Sequence, residues 1–138
     1  MKLFFKWVFL FFIGGGLYWC MEMFTRGRSH WTMVIVGGIC FFLCGILNEI
    51  FTFSMSLLLQ GIIGSALITV VEFISGCIIN LYCGMEVWDY SNVPLNVLGQ
   101  VCLPFSILWI FVAILAVIID DYLRYWFFGE EKPHYKIL

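Results

Sequence analysis

Residues 61–80 read GIIGSALITVVEFISGCIIN, an apolar run with one carboxylate, Glu72, inside it. At every third or fourth position stand Gly61, Ser65, Thr69, Glu72, Gly76 and Asn80, which share one helical face. The remaining faces are almost wholly Ile, Leu, Val and Phe. In a bilayer this division turns the small and polar stripe toward other helices, where backbones approach closely and Glu72 finds partners. The spacing therefore predicts a membrane helix at the centre of a bundle. Glu72 is either polar glue between helices or a group that handles a substrate or ion.

The rest of the chain has the same character. Of its 138 residues 63% are hydrophobic and 12% charged, and its mean hydropathy is +1.03, outside the range of a soluble domain. Each span takes about 20 residues, so four spans use nearly the whole length and leave no room for a second domain. The expected fold is all-α, a polytopic bundle of four transmembrane helices over residues 3–23, 31–47, 57–81 and 99–120, followed by a short C-terminal tail. A formal charge of −2 without runs of like charge argues against nucleic acid as a partner. The six cysteines lie within or beside apolar spans and lack metal-ligand spacing, which reads as packing. No cofactor and no metal site are expected.

Lys2 and Lys6 flank an apolar run from Leu3 to Ile13 that resembles a secretory signal, but Tyr18 and Trp19 precede Cys20 where a cleavage site needs small residues. The segment is therefore expected to stay as a first span. Its glycine triplet at 14–16 lowers helix propensity and permits close packing. Glu22 and Arg26 stand four apart, the spacing of an ion pair where helix meets interface. The second span carries Gly38, Phe41, Gly45 and Asn48 on one face, and Thr52, Ser54 and Ser56 form a turn into the third helix. In the fourth, Cys102, Ser106, Trp109, Ala113, Ala116 and Asp120 make a packing stripe, and Pro104 is expected to kink it and free the Gln100 carbonyl.

Four spans bring both termini to one side. Lys2, Lys6, Arg124, Lys132 and Lys136 there outnumber Arg26 and Arg28 opposite, which favours cytoplasmic termini in the cell membrane. Glu22, Arg26, Arg28, His30, Glu72, Asn80, Glu86 and Asp89 all fall in the other half. Glu22, Arg26, His30, Glu72, Asn80 and Asp89 form the candidate polar site, for a polar or cationic ligand. Glu72 is its buried centre, Glu22 with Arg26 an adjustable pair at the mouth, and His30 and Asp89 lie on the covering loops.

RGRSHWTMVIVGG (26–38), GILNEI (45–50), TVVEFISG (69–76), VWDYSNVPLNVLGQVCLPFS (87–106) and DDYLRY (120–125) resemble the small bacterial membrane proteins called putative ABC-transporter type IV permeases. The resemblance covers nearly the whole chain. It implies a transport subunit working with a separate ATPase, and the sequence has no phosphate-binding loop of its own. Four spans are few for a translocation path, so a homo-oligomer is expected, with membrane lipid around it. The substrate is not legible. A scaffold whose polar groups only pack helices is the alternative from another class. An intramembrane enzyme with Glu72 or Asp89 as base and His30 as proton carrier lacks an evident nucleophile or an HExxH or GxSxG motif, so the chain is read as not an enzyme.

Overall fold

A computed structural model describes residues 2–27, 29–51 and 56–135, less the side chains of Lys2, Thr25, Arg26, Asn48, Glu49 and Phe51. Four α-helices account for most of them: α1 (Lys2–Arg26), α2 (Thr32–Phe51), α3 (Leu57–Gly76) and α4 (Leu103–Phe128). A π-helical segment, Cys77–Tyr82, prolongs α3, and β1 (Asn96–Val97) pairs antiparallel with β2 (Val101–Cys102) in the connection to α4. The protein is an all-α membrane protein. Three stretches, Leu3–Phe24, Leu57–Tyr82 and Leu103–Phe128, are long and apolar enough to cross a bilayer. The apolar part of α2, Thr32–Leu47, is shorter. At about 1.5 Å per residue it reaches about 24 Å, against a hydrocarbon core of about 30 Å.

The centre of the bundle is α2, not α3 as the sequence suggested. α2 packs extensively against each of the other three helices, whereas α4 meets α1 only sparsely and α3 packs mainly on α2 and α4. Small residues at different heights along α2 explain this. A Cβ at Gly37 would strike Tyr18, and one at Gly38 would strike Phe11, both on α1. One at Gly45 would strike Asp120 on α4. Cys44, next to Gly45, meets Gly64 of α3. The first glycine triplet works the same way, with Gly14 against Phe41 and Gly15 against the Val34 carbonyl.

The stripe on α3 does turn inward. Gly61, Ser65, Glu72, Gly76 and Asn80 are buried, together with Gln60, Gly64 and Ile68, and Thr69 is half-buried. α4 differs from expectation at both ends. It starts at Leu103, so Pro104 sits in the first turn, where its missing N–H is one the helix would not use, and no kink arises. The Gln100 carbonyl nevertheless has a partner, the indole N–H of Trp88 at 3.0 Å. At its other end α4 runs on to Phe128, with Gly129 in the left-handed conformation as its cap (φ 65°). Much of the expected tail is thus helix. The turn expected at 52–54 lies outside the described residues; after it, the hydroxyl of Ser56 caps α3 by accepting from the Leu59 amide.

The helices alternate in direction. Lys6 of α1 pairs with Glu130 beyond the end of α4, and Phe9 packs on Phe127 and Phe128, so the chain ends meet at one face. The α1–α2 and α3–α4 connections lie at the other.

Candidate functional site

Glu72 projects from α3 toward α4 and is 6% exposed. Its two carboxylate oxygens are held by neutral donors from different segments. The hydroxyl of Tyr90, in the α3–α4 connection, donates to Oε1 at 2.8 Å, and the indole N–H of Trp109, on α4, donates to Oε2 at 3.0 Å. Two turns of α3 below it continue the polar seam: Ser65 donates to the Ser106 carbonyl, and Thr69 and Ser106 share a hydrogen bond of 2.8 Å. Polar side chains facing one another at a helix seam satisfy the groups that lipid cannot.

The aromatic partners are positioned by their own packing. Tyr90 stacks on Phe105 with centroids 4.8 Å apart, and Trp109 lies between Phe105 at 6.4 Å and Tyr18 at 6.2 Å. Glu22, itself 6% exposed, lies one turn along α1 from Tyr18 and near Glu72. Glu22 and Glu72 thus belong to one buried cluster drawn from α1, α3, α4 and the α3–α4 connection.

The other candidate residues go elsewhere. The Arg26 and Arg28 side chains lie outside the described residues, so the Glu22–Arg26 pair does too. His30 stays local, its Nδ1 bonded to Thr32 Oγ1 at 2.8 Å at the start of α2. Asp89 is exposed and closes a turn: Ser91 gives it both its hydroxyl and its amide, the latter at 2.9 Å, and these bonds hold its carboxyl below the usual carboxylate range. Asn80 is buried but serves the connection. Its Oδ1 accepts from the Val87 amide at 2.7 Å, and its Nδ2 donates to Gln100 Oε1 at 2.8 Å. Among the described residues no three His, Cys, Asp or Glu side chains converge as metal ligands would.

A family model described as Putative ABC-transporter type IV matches residues 9–134. The chain belongs to this family. The match takes in α1 from its second turn through α4 and the segment after it, and so every residue of the Glu72 cluster. No curated protein and no solved structure matches.

A second polar cluster at the terminal face escaped the sequence reading. Arg124, 4% exposed, pairs through Nε with Asp120 Oδ2 at 2.9 Å, and its Nη1 is 4.0 Å from Glu130. Lys6 reaches Glu130 at 2.9 Å. Lys6 and Arg124 each lie 4.9 Å from the Trp7 ring centroid. The spacing of Asp120 and Arg124, four apart, was the available signal, but expecting the helix to stop at residue 120 hid it.

Proposed function

We propose that this chain is a non-enzymatic, permease-like subunit of a bacterial ABC-type transporter, working in the cell membrane as an oligomer with a separate ATPase, with Glu72 as its polar centre. The observation that carries the reading is the arrangement around Glu72: a carboxylate deep between helices, fixed by donors from two separate segments and set beside a second carboxylate. Ionisable groups placed so at membrane depth are costly and mark pathways more often than packing. Membership of the family supports the association with an ATPase. The count of basic residues favours cytoplasmic termini, which would set the Lys6–Arg124–Glu130 face toward that ATPase.

One observation favours the scaffold reading: both oxygens of Glu72 already have partners within the chain. Glu72→Gln separates the two. The amide can donate to the Tyr90 oxygen and accept from Trp109, so folding should survive. If transport is the role, tagged chain purified gently from its native membranes brings down a nucleotide-hydrolysing subunit, and Glu72→Gln alters the turnover of that complex. Absence of any such subunit, or turnover unchanged by the substitution, would sink the reading.

A further inference from the structure

Between α1 and α4 the bundle is not closed. These helices meet only sparsely, and behind their gap lies a crevice of about 170 Å³ walled by Gly14, Tyr18, Cys40, Cys44, Trp109 and Ala116. Leu17 and Leu115 also line it and are 44% and 59% exposed, so the crevice opens sideways at the middle of Leu3–Phe24 and Leu103–Phe128. At that depth the opening meets hydrocarbon rather than water. A cavity of similar size lined by apolar groups stays dry and accepts a small aryl or alkyl body.

Two of its walls set it apart from a packing defect. The rings of Tyr18 and Trp109, 6.2 Å apart, line the crevice on one side; on the other the Trp109 N–H is bonded to the Glu72 carboxylate, and Glu22 stands one turn along α1 from Tyr18. A hydrogen bond given to a carboxylate pushes electron density into the donor ring and strengthens its attraction for a cation. Glu22, also buried, lies near Glu72 and adds a second acidic side chain behind the rings.

We infer that the crevice binds a lipophilic monovalent cation that enters from the bilayer, its apolar body against Cys40, Cys44 and Ala116 and its charge against Tyr18 and Trp109, with Glu22 and Glu72 behind the rings. This rests on the reading of Glu72 as a functional polar centre and names the class of ligand for it. A neutral hydrocarbon of the same shape gains only the apolar contact, and an anion meets two carboxylates.

The test compares benzyltrimethylammonium with its uncharged isostere neopentylbenzene by equilibrium dialysis against the purified full chain in detergent, with protein-free micelles as the blank. The cation is expected to bind saturably and about tenfold more tightly than the isostere. Glu22→Gln combined with Glu72→Gln should remove most of that preference while the isostere still binds, which also shows that the crevice has survived. Ala116→Phe, which fills the crevice, should abolish binding of both. Equal affinity for the two probes in the parent chain, a preference untouched by the carboxylate substitutions, or cation binding undiminished in Ala116→Phe would each overturn the inference. These outcomes are read from binding alone. If an ATPase co-purifies and its turnover depends on Glu72 while the probes bind equally, the ligand class is wrong and the transport reading stands.

Discussion

The carboxyl group of Asp120 occupies the space that a side chain at Gly45 would fill. The two helices therefore touch where α4 carries a buried acid, 1% exposed, and α2 carries no Cβ. Gly45→Ala must displace the carboxylate together with its Arg124 partner. Overpacking of this kind costs about 1–3 kcal/mol. Thermal unfolding in detergent should show Gly45→Ala clearly less stable than the parent, while Gly16→Ala, whose Cβ meets nothing, should match or exceed it.

Removing the guanidinium should cost more than crowding it. Arg124→Met keeps the length and apolar stem of the side chain but leaves Asp120 buried without its pair. Breaking one side of a buried pair typically costs about 3–5 kcal/mol. Adding Asp120→Leu to Arg124→Met should recover a large part of the loss, since no buried charge is then stranded. A double variant no more stable than Arg124→Met alone would show that Arg124 acts through Trp7 and Glu130 rather than through Asp120.

Beyond α4 the chain turns back, and the Tyr135 hydroxyl donates to Asp121 Oδ2 at 2.9 Å. Burial, and then the nearby Asp121 carboxylate, push the Tyr135 phenol well above its usual value of 10.0. A phenol harder to ionise in the folded than in the unfolded chain adds stability that is complete below about pH 10 and falls as pH rises above that value. The segment after Phe128 should therefore stay docked at neutral pH and loosen in alkali. Limited proteolysis after residue 128 should accelerate above pH 10 in the parent. In Tyr135→Phe it should be faster already at pH 7, and the step with pH should be gone.

What could be read from the sequence was what periodicity records. The inward face of α3 follows from the spacing of Gly61, Ser65, Glu72 and Gly76, because close helix packing and polar burial both act at every third or fourth residue. The partners of Glu72 were not legible. Tyr90 reaches it from the covering loop that carries Asp89, and Trp109 from a position indistinguishable from other packing residues. His30 and Asp89 looked like site residues by type, yet each is taken up by a neighbour two residues on, Thr32 and Ser91. Composition could not decide the end of α4 either, because Asp120, Asp121 and Arg124 look like an exit from the membrane until Gly45, Lys6 and Tyr135 are seen to cover them. The central place of α2 was missed for a similar reason. Gly38 and Gly45 share one face of α2, yet they serve different neighbours, Phe11 of α1 and Asp120 of α4, and spacing alone does not show which helix a face meets.

Asn80 offers a test of how the cover over the Glu72 end is held. One amide joins the two ends of the α3–α4 connection, its oxygen taking the Val87 amide and its nitrogen giving to Gln100 Oε1. Gln100 is itself 3% exposed, and its Nε2 donates to the Leu98 carbonyl at 2.9 Å. Asn80→Asp keeps the acceptor for Val87 but sets a second oxygen against Gln100 Oε1. Gln100 can answer only by rotating its amide, which forfeits the bond to Leu98. A buried polar group left unpaired costs about 1–3 kcal/mol, more where a charge is involved. Asn80→Asp should therefore destabilise at neutral pH although it is nearly isosteric. Acid should restore part of the loss, because the protonated carboxyl can donate to Gln100. Amide hydrogen exchange should quicken at Val87, Trp88 and Gln100 while the amides in the middle of α3 stay protected. Exchange that rises equally through α3 would mean instead that Asn80 supports the whole helix and not its cover.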